Sequence, residues 1–158
     1  MKRENFLSWE QFFMTVAKVC AMRSKDPSTQ VGAILVNNLN QIISTGYNGF
    51  PRGVDDDKFP WSRDGEWIDT KYPYVAHAEL NAIVSARTNL TDCDVYVTLF
   101  PCNECAKIII QAGIKKVVYL EDKYSDSKEV KASKKMLDAA CIKYHQIADF
   151  KVNIDIEK

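Results

Sequence analysis

The sequence predicts a mixed α/β sheet in one domain, on three observations. Its 158 residues suit a single domain spanning 1–158. A hydrophobic fraction of 46% supports a real buried core. After an opening hairpin, short β-branched runs alternate with amphipathic helical patterns, the signature of mixed rather than purely antiparallel sheets.

The elements follow in order. Ser8-Trp9-Glu10-Gln11 has the form of a capping box, and Phe12, Phe13, Val16, Ala17, Val19 and Cys20 recur at helical spacing. A helix over 9–22 is predicted, ended by Asp26-Pro27, with Trp9, Phe12 and Phe13 in the core. Val31–Val36, a turn at Asn37–Asn40 and Gln41–Gly46 read as a hairpin. Gly46–Gly53 is too rich in Gly and Pro for a regular element. From Arg52 to Pro73 the chain is acidic, aromatic and irregular, and loops of this length are commonly lids or binding segments. A helix begins near His77 and continues through Leu80, Ile83, Val84 and Ala86. Asp94–Leu99 is a strand, Cys102–Ala112 a helix closed by Gly113, and Lys116–Leu120 a strand. Val130, Ser133, Leu137 and Ala140 mark a last helix, and Lys143–Ile147 and Lys151–Ile156 read as final strands.

Composition narrows the function. The 21 basic and 21 acidic residues cancel, leaving no global field for nucleic acid or an anionic membrane. No stretch approaches the roughly 20 apolar residues of a bilayer span, and the N-terminus turns polar too early for a signal sequence. The expected address is therefore intracellular. Five cysteines, an odd number, fit a disulfide framework poorly there. Cys102 and Cys105 form a C-x-x-C pair, whereas Cys20, Cys93 and Cys141 read as core filling.

The chemistry concentrates in His77-Ala78-Glu79 and Pro101-Cys102-Asn103-Glu104-Cys105. Both groups lie at predicted helix starts, where the helix dipole favours thiolates. Cys102 and Cys105 share a helix face, and His77 would complete three ligands for Zn2+. The fourth tetrahedral position then stays open for water, as in catalytic rather than structural sites. Glu79, two residues from a ligand, can stand beside that water and carry protons without binding the ion. H-x-E…P-C-x-x-C is the pattern of zinc nucleobase deaminases. Cys141 and His145, an i, i+4 pair, supply too few ligands for another site. A zinc-stabilised binding module would have no need of Glu79, and bound metal would exclude a redox role for the cysteine pair.

Beyond this pattern the chain resembles the cytidine/deoxycytidylate deaminase superfamily, and within it the deoxycytidylate (dCMP) deaminases. The resemblance runs through Ser24–Ala33, Gly46–Gly53, Asp69–Val75, His77–Ile83 and Leu99–Lys107, ending near Asp122-Lys123-Tyr124. It implies a three-layer α/β/α cytidine-deaminase-like fold, a central mixed sheet of about five strands with helices on both faces. It also implies a cytoplasmic, zinc-dependent hydrolase that converts dCMP to dUMP and ammonia for thymidylate synthesis. His77, Cys102 and Cys105 match the zinc ligands, Glu79 the proton shuttle, and Asn48 the asparagine near the sugar. No second, structural zinc is expected.

Substrate contacts beyond these are read from position. Backbone amides around Ala78 and Cys102 can hold the base edge, and Arg23, Ser24, Lys25 and Arg52 flank the site as phosphate-binding candidates. Tyr124 can close over the substrate from the loop after the Lys116–Leu120 strand. The resemblance further implies a homo-oligomer, a hexamer, activated by dCTP with Mg2+ and inhibited by dTTP. Asn48, Gly49 and Arg52, in one glycine-containing loop, are the candidates for sensing these effectors. A deaminase of free cytidine or of an RNA base is the competing expectation, and the neutral charge disfavours RNA.

Overall fold

The computed structural model describes residues 1–148 and 150–157. Helix α1 (Trp9–Ala21) starts at the capping box: the Ser8 hydroxyl accepts from the Gln11 amide at 3.2 Å, and the Gln11 side chain accepts from the Ser8 amide at 2.9 Å. A hairpin of β1 (Gly32–Val36) and β2 (Ile42–Tyr47) follows. Then come α2 (Ala78–Ser85), β3 (Asp94–Leu99), α3 (Asn103–Gln111), β4 (Lys116–Glu121), α4 (Lys128–Ala139) and β5 (Lys143–Gln146). The strand order is β2-β1-β3-β4-β5. β1 pairs antiparallel with β2 and β3, whereas β3, β4 and β5 run parallel, as the short strand–helix–strand alternation requires.

Both sheet faces are covered, which explains why β1 and β3 read as continuous apolar runs. On one face Phe13, Met14 and Ala17 of α1 pack over Ile34, Val36, Tyr96 and Val118. On the other, Ala78 and Ala82 of α2, Ala106 and Ile109 of α3, and Val130 and Leu137 of α4 cover Ala33, Leu35, Val95, Val97 and Val117. Each large side chain fully buried in this way contributes about 1.5–3 kcal/mol of transfer free energy. Two glycines set how closely helices approach the hairpin. Gly32 lies against the α1 backbone at Ala17 and Ala21, and Gly46 against the α2 backbone at Ala78 and Ala82.

The structure departs from expectation at four places. Residues 151–156 form no strand: the sheet ends at β5, and the β-branched alternation beyond it pairs with no strand. Trp9 and Phe12 are exposed while Phe13 is buried, since only one stripe of α1 faces the sheet. Cys141 is exposed in a turn at φ 57°, and so fills no core. The Arg52–Pro73 segment includes a short 3-10 turn, Trp67–Asp69.

Candidate active site

α2 and α3 begin side by side, and each begins on a ligand-type residue. His77 is the N-cap of α2 (φ −72°, ψ 159°) and Cys102 that of α3 (φ −71°, ψ 175°). Neither side chain caps its own helix, so both are free to point into the space between the helix starts. Pro101 directly precedes the Cys102 N-cap. Cys105, one turn into α3, comes back to the same point, and the His77 Nδ1 lies 3.4 Å from both the Cys102 and the Cys105 Sγ. The three ligand atoms fall within 4.8 Å of one another. Among the described residues, no other group of three or more His, Cys, Asp and Glu side chains converges in this way.

Electrostatics follow from this crowding. The Cys105 thiol donates to Cys102, and with the nearby His77 this outweighs burial and brings the Cys102 thiol down to about 4. His77, hydrogen-bonded to that sulfur, is raised to about 9 against the opposing effect of burial. Cys105 rises because it donates to Cys102 and is buried. Glu79, only 4% exposed, is raised by desolvation, and the charge on His77 opposes that rise. Without metal the centre therefore carries a thiolate–imidazolium pair beside a buried carboxyl. Two cysteine sulfurs and an imidazole nitrogen are a zinc donor set, and three such ligands leave a tetrahedral position for water.

The cluster opens into a cavity of about 310 Å³, toward the small end of ligand sites. His77, Ala78, Glu79 and Cys102 form one part of its wall, and Asn48, Leu99, Phe100 and Val130 another. A family model for the cytidine and deoxycytidylate deaminase zinc-binding region matches residues 7–121. The chain belongs to this deaminase family.

Individual relatives agree. The Homo sapiens deoxycytidylate deaminase is 52% identical over 147 residues, covering 92% of this chain and 83% of the relative. A probable deoxycytidylate deaminase of Drosophila melanogaster is 47% identical over 163 residues, covering 99% and 80%. The crystal structure of the dCMP deaminase from cyanophage S-TIM5 in complex with dCMP and dUMP superposes with a TM-score of 0.72 at 28% identity. That match covers 93% of this chain and 99% of the phage protein. The chain is thus a deaminase of a zinc-binding family with the cytidine-deaminase-like α/β fold, and His77, Cys102 and Cys105 form a possible zinc site.

Within this deaminase frame the other expected site residues divide. Asn48, Ala78 and Tyr124 line the cavity. Asn48 is largely committed to holding the chain: its Nδ2 donates to the Thr29 carbonyl at 2.9 Å, and its Oδ1 accepts from the Val31 amide at 2.8 Å. Ser24 lies behind it, donating to the Asn48 carbonyl at 2.8 Å. Lys25 forms an ion pair with Asp56, the Arg23 guanidinium sits 5.8 Å from the Tyr47 ring centre, and Arg52 is exposed; none of these lines the cavity. Gly49 forms an antiparallel bridge with Ala76, one residue before His77.

Sequence reasoning missed Asp26, Arg63, Lys71 and Tyr72 in the cavity wall. Lys71 reaches both carboxylate oxygens of Asp26, at 2.7 and 2.5 Å, and the pair is almost wholly buried. The available signal was general, since the long aromatic excursion returning at Asp69–Tyr74 marked a binding segment without saying which side chains would turn inward.

Proposed function

We propose that this chain hydrolyses dCMP to dUMP and ammonia, with Glu79 as proton carrier and His77, Cys102 and Cys105 as zinc ligands. The meeting of those three ligands with a buried carboxylate in one nucleotide-sized cavity carries this reading. It is supported by the deoxycytidylate deaminases that share half their residues with the chain, and by the phage deaminase bound to dCMP and dUMP.

Zinc held there would supply an activated water and Lewis-acid stabilisation of the developing charge. The chain's own groups do the rest. Glu79, poised by burial, takes a proton from the attacking water and delivers it to N3 of cytosine, which makes C4 more electrophilic. The water oxygen bonds to C4, Glu79 carries that oxygen's remaining proton to the amino nitrogen, and the C4–N bond breaks to release ammonia and leave the C4 carbonyl of uracil. First-turn amides at Ala78 and just after Cys102 lack side-chain caps and can hold the base edge. The Asn48 Oδ1 keeps an acceptor position for a sugar hydroxyl, with Ser24 holding the Asn48 carbonyl from behind and Lys25, paired with Asp56, as the further substrate-side candidate. Tyr124 would close over the nucleotide from the cavity rim.

Regulation belongs to the same reading: a homohexamer in the cytoplasm, activated by dCTP with Mg2+ and inhibited by dTTP. The Gly49–Ala76 bridge supports such a device, because it couples the loop carrying Asn48, Gly49 and Arg52 to the start of α2. No helix of the described residues is long and apolar enough to cross a membrane. The deciding experiment follows loss of the cytosine amine with cytidine, deoxycytidine, CMP, dCMP and dCTP, then repeats the dCMP series with each effector. The highest kcat/KM is expected for dCMP, with sigmoidal rates that dCTP and Mg2+ render hyperbolic. A preference for unphosphorylated cytidine would overturn the substrate, and hyperbolic rates indifferent to both effectors would overturn the regulation.

A further inference from the structure

A nucleotide differs from its nucleoside by a dianionic group, and the cavity must hold that group away from the reacting base. Glu79 and Ala78 are buried at the metal end, so the base belongs there and the phosphate toward solvent. Two side-chain cations line the cavity apart from His77, and they are Lys71 and Arg63. Lys71 is occupied by Asp26 in a buried, bidentate pair. Among the described residues, Arg63 has no carboxylate within ion-pair distance. Its Nε donates instead to the Tyr72 hydroxyl at 3.1 Å, and Tyr72 lines the same cavity.

We propose that Arg63, steadied by Tyr72 at the cavity rim, is the receptor for the 5′-phosphate of the nucleotide. This rests on the deaminase reading above and names the residue that selects nucleotide over nucleoside. With Nε engaged by Tyr72, the two terminal nitrogens of the guanidinium remain to pair with two phosphate oxygens. The loop holding Arg63 is fixed at its base, since the Lys71 amide donates to the Ser62 carbonyl at 2.9 Å and the Ser62 hydroxyl to the Asp64 carbonyl at 2.8 Å. Ordering of the arginine is thus partly complete before a ligand arrives. Glu129 also borders the cavity, with the Lys128 ammonium 3.9 Å from its carboxylate. The basic residues suggested by sequence are placed elsewhere, Lys25 on Asp56 and Arg23 over Tyr47.

The test measures binding apart from turnover, by titration calorimetry of dUMP and of deoxyuridine on the zinc-loaded protein. Wild type should bind dUMP more tightly than deoxyuridine. Arg63→Gln should weaken dUMP about 10- to 100-fold, the size of a lost charge-assisted contact, and collapse the preference for the nucleotide. Arg63→Lys should restore part of it, and Tyr72→Phe should weaken dUMP less than Arg63→Gln. Equal weakening of dUMP and deoxyuridine in Arg63→Gln, or an unchanged dUMP affinity, would overturn the assignment. Arg63-dependent binding of dUMP by a protein that fails to deaminate dCMP would uphold the phosphate receptor and sink the proposed reaction.

Discussion

Replacing Gly46 by alanine should damage catalysis through the backbone of α2, without altering any side chain of the site. A Cβ at 46 would lie 2.5 Å from the Ala82 nitrogen and closer still to the Ala78 carbonyl oxygen. Those atoms are the two ends of one turn of α2, so no flexible side chain can yield. Ordinary contact is about 3.5 Å, and α2 must therefore move away from β2 by about 1 Å. Overpacking of this kind costs about 1–3 kcal/mol, a fall in Tm of roughly 3–10 °C for a chain of this length. Glu79 and His77 travel with α2, and a misplacement of about 1 Å at the chemistry costs on the order of 100-fold in rate. Gly32→Ala is the control, because its Cβ would lie 2.5 Å from the Ala21 nitrogen of α1 on the opposite face. It should lose comparable stability yet keep kcat per folded molecule close to wild type. Thermal unfolding, zinc content and kcat on dCMP, measured side by side, decide the matter. Wild-type kcat in Gly46→Ala, or equal kcat losses in both variants, would refute the coupling of β2–α2 spacing to the site.

Other outcomes are equally open to measurement. Glu79→Gln should retain zinc by elemental analysis while losing at least about 10²–10⁴ in turnover, as expected for removal of a general acid–base. Cys102→Ala should lose both metal and activity, and full activity in metal-free protein would contradict the ligand assignment. Lys71→Met should destabilise by about 3–5 kcal/mol in denaturant titration, because Asp26 is left charged and buried, and Asp26→Asn added to it should recover part of that loss. In chelated protein, His77 titrates near 9, above its unfolded value, so its stabilising effect is complete below the unfolded pKa and lost as pH rises through about 9. Cys102 titrates near 4, below its unfolded value, so its effect is lost as pH falls through about 4. Thiolate ultraviolet absorbance should accordingly persist down to about pH 4 and vanish in Cys102→Ser.

The sequence was most informative where local chemistry and periodicity agreed. The capping box at Ser8, the hairpin and the β3–α3–β4 succession were legible because each carries its own stop and start signals. So were the members of the His77, Cys102 and Cys105 cluster, since motif spacing and helix starts mark them in the sequence. What escaped depended on the rest of the molecule. Val152, Ile154 and Ile156 alternate as a strand would, but alternation does not by itself decide pairing, and the segment joins neither edge of the sheet. Apolar residues surround much of α1, so their spacing alone could not show that Phe13 faces the sheet while Trp9 and Phe12 face outward. No local signal marks Lys71 as buried, because its partner Asp26 lies 45 positions earlier.

The two faces of the sheet have different freedoms to change over evolutionary time. None of the residues lining the cavity comes from α1, whose apolar cluster is sealed behind β1, β3 and β4. Glu79, His77, Cys102 and Cys105 sit at the starts of α2 and α3, whereas Asn48, Arg63, Tyr72 and Tyr124 arrive on connecting loops. A lineage can therefore rewrite those loops to admit a new base-bearing molecule while the hydrolytic machinery is inherited intact. Substitutions beneath α1 need satisfy only packing, and drift there would leave the choice of substrate untouched.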